Sequence, residues 1–151
     1  MSTIGFDTSN YTTSTAWTDG KTDINVRQIL YVKDGERGIR QSDGVFQHMK
    51  LMPVMYEKLS EQIDFKDVKA VGVSTRPRCV EGSYMPVFLA GEWYTKVVAN
   101  TLGVPLYEFS HQDGHIMAGI YSSGSFELLE NDFISVHLSC LLYTSDAADE
   151  L

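Results

Sequence analysis

The chain has 151 residues, 43% of them hydrophobic, enough for one core-bearing domain. Its net charge of −8 excludes a broadly basic nucleic-acid-binding surface, though not a local basic patch or a nucleic acid held together with a partner protein. Two cysteines, Cys79 and Cys140, make no disulfide framework, no apolar run is long enough to span a bilayer, and Met1-Ser2-Thr3 opens no signal peptide; the expectation is a cytoplasmic protein with no membrane partner.

Thr3-Ile4-Gly5-Phe6-Asp7 reads as a short first strand. Thr8 to Thr15 is dense in hydroxyls, Ala16-Trp17 resumes a strand, and Asp19-Gly20 is a hairpin signal. Val26 to Val32 is β-branched and aromatic, so the opening is a three-stranded antiparallel meander. An acid at a strand end followed by a hydroxyl-rich hairpin is able to hold phosphate and magnesium. Asp7, Thr8, Ser9, Thr12 and Thr13 are therefore candidate nucleotide or phosphate residues; the plain alternative is an ordinary threonine-rich hairpin.

A helix begins near Ser42 after the Asp34–Gly38 loop. Val45, Met49, Met52, Tyr56, Leu59 and Ile63 form its apolar stripe, with Pro53 expected to kink or split it. His48 lies beside that stripe and reads as structural or solvent-facing. Val68 to Ser74 is a strand. The next loop, Thr75 to Ser83, carries Arg76 and Arg78, which suit bidentate recognition of phosphate or carboxylate or are simply a solvated basic loop. Pro86 opens a helix that runs to about Leu102 and stops at Gly103.

Val104 to Phe109 is a further strand. Ser110 then N-caps a helix, with Asp113 three residues on to return the bond. His111 and His115 stand four residues apart on that helix and share a face, so both can serve one metal ion; the alternative is two surface histidines on a polar first turn. Ser122-Ser123-Gly124 breaks the helix, and Phe133 to Leu138 is expected to form a last strand.

The order βββαβαβα, then one more strand, predicts an α/β fold with a mixed sheet and helices on both faces. It describes a ribonuclease-H-like half of an actin-like ATPase (ASKHA) fold. Residues 1–132 would be that subdomain and 133–139 the first strand of a second. Cys140-Leu141-Leu142-Tyr143-Thr144-Ser145-Asp146-Ala147-Ala148-Asp149-Glu150 resembles the translation of a sequencing-library adapter, so 140–151 is expected to be a foreign tail; the alternative is a natural acidic terminus.

Ile4-Gly5-Phe6-Asp7-Thr8-Ser9, Ala70-Val71-Gly72-Val73-Ser74-Thr75 and Pro105 through His115 together resemble the Gcp/TsaD family. Its members were once called O-sialoglycoprotein endopeptidases and are now understood as threonylcarbamoyl transferases that modify an adenosine in tRNA. The resemblance covers residues 1–139, the family's N-terminal half. It implies that His111 and His115 bind one divalent metal, iron or zinc, with His137 a weaker candidate ligand. It also implies ATP or an adenylate nucleotide in the full-length protein, tRNA and threonylcarbamoyl-adenylate as partners, and a protein partner of the same fold. No catalytic residue is identified in this half. The loop bearing Arg76 and Arg78 departs from the family's Gly-Pro-Gly type, which points to a divergent branch and makes these two arginines candidates for a substrate loop. The older metallopeptidase label is disfavoured because a zincin needs glutamate after its first histidine, and Gln112 stands there. A non-catalytic actin-like partner subunit is the remaining alternative.

Overall fold

The structure, a computed structural model, describes residues 1–36 and 38–136. The chain divides into two compact units, Met1–Gly114 and His115–Leu151.

The first unit is built on five strands: β1 Ser2–Asp7, β2 Thr12–Thr18, β3 Asp23–Ile29, β4 Val68–Arg76 and β5 Leu106–Ser110. They lie in the order β3-β2-β1-β4-β5. The first three form the expected antiparallel meander, with Gly5 opposite Ala16 and Thr15 opposite Val26. β1, β4 and β5 run parallel, so Asp7, Arg76 and Ser110 end on the same edge of the sheet.

Strand periodicity sorts the side chains. On β1, Ser2, Ile4 and Phe6 are buried while Thr3, Gly5 and Asp7 turn to the other face. The buried set joins Val68, Val71 and Val73 of β4 in a core completed by Met52 and Leu59 of α1 (Gln41–Ser60) and Ala99 of α2 (Phe88–Leu102). α1 packs on β2 and β3, α2 packs on β4 and β1, and the two helices touch each other, so both lie on one face of the sheet.

α1 is not split at Pro53: the helix is continuous through it. Proline deprives the carbonyl four residues earlier of its helical donor, and that carbonyl, Met49 O, accepts instead from Tyr94 Oη of α2 at 3.0 Å. The buried face is Gly44, His48, Met52, Met55 and Leu59 rather than a stripe through Val45 and Met49. The helix is turned so that Gly44 meets Val87, whose Cγ1 would lie 2.9 Å from any added Cβ.

α2 ends as expected at Gly103, whose φ of 66° is the left-handed cap conformation. A third helix, α3 (His111–Ser123), follows β5 directly. Its capping box forms: Asp113 N donates to Ser110 Oγ at 3.1 Å and Ser110 N to Asp113 Oδ2 at 2.9 Å.

The second unit holds the rest of α3, which stops at Gly124 with φ 70°, and the short helical turn Phe126–Glu130. Phe133 to Val136 lie in no strand, contrary to expectation. These residues are exposed, and an extended segment is a strand only when its backbone pairs with another. The remainder of that expected strand, and the tail from Cys140, lie outside the described residues. No helix among the described residues is long and apolar enough to cross a membrane.

Candidate functional site at the carboxyl ends of the parallel strands

In open α/β sheets, ligands gather outside the carboxyl ends of the parallel strands. Here that edge brings together Asp7 from β1, Ser74 from β4 and His111 immediately after β5, with Ser9 from the turn between β1 and β2. All four belong to the first unit.

Asp7 is the centre of the group. Its Oδ2 lies 2.9 Å from His111 Nδ1. Its Oδ1 accepts from Ser9 N at 2.7 Å and from the Ser9 hydroxyl. Burial alone would raise the Asp7 carboxyl, but the hydrogen bonds from His111, Ser74 and Ser9 outweigh it and hold the group at about 2. The same contact raises the His111 imidazole above its ordinary range, against the opposing effect of burial. An ionised carboxylate only accepts, so Nδ1 of His111 carries a proton, and Nε2 lies 3.5 Å from Ser9 Oγ. A carboxylate behind one ring nitrogen is the usual way to orient a metal-ligating histidine.

His115 lies one helical turn further along α3 and opens the second unit. His137 is outside the described residues. Among the described residues no three His, Cys, Asp or Glu side chains gather as a metal-ligating cluster. The donor types at hand, an imidazole nitrogen with a carboxylate behind it, are ones that zinc or iron accepts.

The hydroxyl-rich hairpin divides in two. Thr8 is wholly buried; its hydroxyl donates to Val87 O at 2.8 Å and accepts from Gly91 N at 3.1 Å. Thr13 is also wholly buried, with Oγ1 2.7 Å from His48 Nδ1. The expectation that these two hydroxyls cradle phosphate is therefore corrected: both are engaged inside the protein, Thr8 capping the first turn of α2 and Thr13 meeting α1. Asp7 and Ser9 stand at the strand-end edge, and Thr12 is half-buried opposite Ile29.

The arginine loop is attached to the same edge. Arg76 ends β4, its guanidinium donating to Thr75 Oγ1 at 3.3 Å and reaching Cys79 Sγ at 3.9 Å. Pro77 O accepts from Gln112 N at 3.1 Å, which ties the loop to the first turn of α3. Arg78 is exposed. Sequence reasoning missed Ser74 as a partner of Asp7. The available signal was its place at the carboxyl end of a strand running parallel to β1.

This geometry defines an α/β unit with a mixed five-stranded sheet whose polar group sits at the carboxyl ends of β1, β4 and β5. No family model matches the chain. The chain is 28% identical over 128 residues to the tRNA N6-adenosine threonylcarbamoyltransferase of Pyrobaculum calidifontis, covering 83% of this chain and 36% of that protein. It is 29% identical over 90 residues to the protein of the same name from Christiangramia forsetii, covering 59% and 25% respectively. The chain thus spans between a quarter and about a third of the length of these curated relatives. Among solved structures, YeaZ from Pseudomonas aeruginosa superposes with a TM-score of 0.52 at 15% identity, over 73% of this chain and 43% of that one, a likeness of fold. Together the relatives and the fold support a Gcp/TsaD-type N-terminal region.

Proposed function

We propose that the chain is the N-terminal part of a threonylcarbamoyl transferase acting on adenosine in tRNA, an acyltransferase that uses one divalent metal, iron or zinc. The observation that carries the reading is the Asp7 carboxylate on His111 Nδ1, at the first residue of a helix that bears a second histidine one turn on. Similarity to proteins named as threonylcarbamoyltransferases supplies the substrate class. In this reading His111 and His115 hold the metal, and Asp7 fixes the His111 tautomer and ring direction rather than contacting phosphate. A metal so held would act as a Lewis acid toward a carbonyl of threonylcarbamoyl-adenylate. Ser9 and Thr12 would border the nucleotide, and Arg76 and Arg78 would offer bidentate donors to a phosphate or carboxylate of the substrate. Two protein ligands hold a metal weakly against water, so this chain alone is expected to bind metal poorly and to be inactive. The test is threonylcarbamoyl transfer to tRNA by the complete gene product, with and without His111→Ala and His115→Ala together. Equal activity of the two proteins would overturn the assignment.

The likeness to YeaZ favours a second reading, a non-catalytic subunit that pairs with a partner of the same fold. The arginine loop in place of a glycine-rich one is compatible with it. The discriminating measurement is metal content of the complete gene product: stoichiometric iron or zinc supports the transferase, and a metal-free protein that forms a complex with a catalytic relative supports the subunit.

A further inference from the structure

A histidine at the centre of a helix's buried face is expensive unless both ring nitrogens are satisfied. His48 has no solvent exposure and sits among Met52, Met55 and Gly44 on the inner face of α1. Its Nε2 lies 3.3 Å from Asn10 O, and its Nδ1 lies 2.7 Å from Thr13 Oγ1. A carbonyl can only accept, so Nε2 carries the proton, Nδ1 is the bare nitrogen, and the Thr13 hydroxyl donates to it. One tautomer satisfies both contacts.

The Asn10 end of this bridge matters for the site. Asn10 has φ 49°, left-handed for a residue with a side chain, and it turns the chain between β1 and β2. Ser9, the preceding residue, gives both its amide and its hydroxyl to Asp7 Oδ1. Asp7 in turn holds His111 through Oδ2. A run of bonded groups therefore links α1 to the strand-end cluster: His48, the Asn10 carbonyl, the Ser9–Asn10 peptide, the Asp7 carboxylate, His111.

We propose that His48 is a positioning residue for this cluster, fixing from within the core the turn that delivers Ser9 to Asp7 and so sets the orientation of His111. The functional importance of that orientation rests on the transferase reading; the coupling itself does not, and it is measurable in the chain without any activity.

The experiment is NMR on the intact chain and on His48→Leu, His48→Gln and Thr13→Val. In the unmodified chain the His48 side-chain nitrogens should show a protonated Nε2 and a bare Nδ1. His48→Leu should move the Ser9 amide resonance out of its hydrogen-bonded position and speed its hydrogen exchange by about tenfold or more. His48→Gln, which offers a donor to Asn10 O, should restore most of the Ser9 signal. Thr13→Val changes almost no volume and leaves the helix contacts in place, so it keeps the test open if His48→Leu does not fold; it should shift His48 Nδ1 and the Ser9 amide together. A core-filling role predicts the opposite pattern: lower stability with the Ser9 amide and its exchange unchanged. That pattern overturns the proposal, as does His48→Gln folding but failing to restore Ser9. If the coupling holds while the complete protein lacking His111 and His115 stays active, the transferase reading fails and the positioning role stands.

Discussion

Replacing Asp7 by asparagine removes one charge while keeping the side chain's size and part of its hydrogen bonding. The native carboxyl titrates at about 2 against an ordinary 3.8, because donors from His111, Ser74 and Ser9 outweigh its burial. A carboxyl lowered by that much prefers the folded state in its ionised form by about 2 kcal/mol. The sign follows from proton binding. The folded carboxyl binds protons less readily than the unfolded one, so its contribution is fully present above pH 3.8 and is lost as pH falls through the folded value near 2. His111 titrates in the other direction: its pKa is raised, so the charged part of the pair persists below 6.5 and fades as pH rises through the raised value. The two shifts describe one contact and count once. Asp7→Asn should therefore cost about 2 kcal/mol near pH 5, and the cost should dwindle toward pH 2. Urea unfolding at a series of pH values reads this as a midpoint lowered by about 1 M at pH 5 with unchanged slope. A midpoint difference of the same size at pH 2.5 and pH 5 would refute the electrostatic account, and no difference at pH 5 would refute the contact itself.

Three further outcomes follow from single contacts. Thr8→Val keeps the shape of a fully buried side chain but strands Val87 O and Gly91 N; it should cost about 2 kcal/mol by chemical denaturation and loosen the start of α2 in hydrogen exchange. Tyr94→Phe leaves Met49 O with neither its helical donor nor the tyrosine hydroxyl; about 1 kcal/mol should be lost, and a Pro53→Ala background, which restores the helical donor, should reduce that loss. Burial lowers the His48 pKa despite the nearby Asn10 carbonyl and Asp7 charge, so the unfolded chain takes up this proton first. Its contribution is complete above 6.5 and declines as pH falls below that; His48→Gln should remove that part of the stability–pH slope, and a slope unchanged in the variant would contradict a neutral buried ring.

Local signals carried far in this chain. The meander, the stop at Gly103 and the Ser110–Asp113 capping box are each decided within a few residues, by turn chemistry, left-handed φ and hydrogen bonds of short reach, and each is found, though the third strand runs Asp23–Ile29 rather than Val26–Val32. What escaped is the destination of side chains that cross between layers. Period-two alternation alone sends Thr13 inward and Ser14 outward, yet no local rule says that the inward hydroxyl meets a histidine 35 positions later. His48 looked marginal because the stripe was drawn through Val45 and Met49; the buried face shares Met52 and Leu59 with that stripe but runs through Gly44 and Met55, with the histidine on it, and Gly44 packs closely on Val87. The same limit governs the candidate site. Asp7 and His111 are 104 residues apart and meet because β1, β4 and β5 are parallel and end together, a fact of sheet order rather than of spacing. That meeting alters what the hairpin motif means. An acid after a first strand invites a phosphate or magnesium assignment, but this acid is already engaged on both oxygens, one by Ser9 and one by an imidazole. Its chemistry is then that of an anchor for His111, and the threonines beside it serve to fix the anchor: Thr8 by clamping the end of β1 to α2, Thr13 by holding the ring that holds the turn.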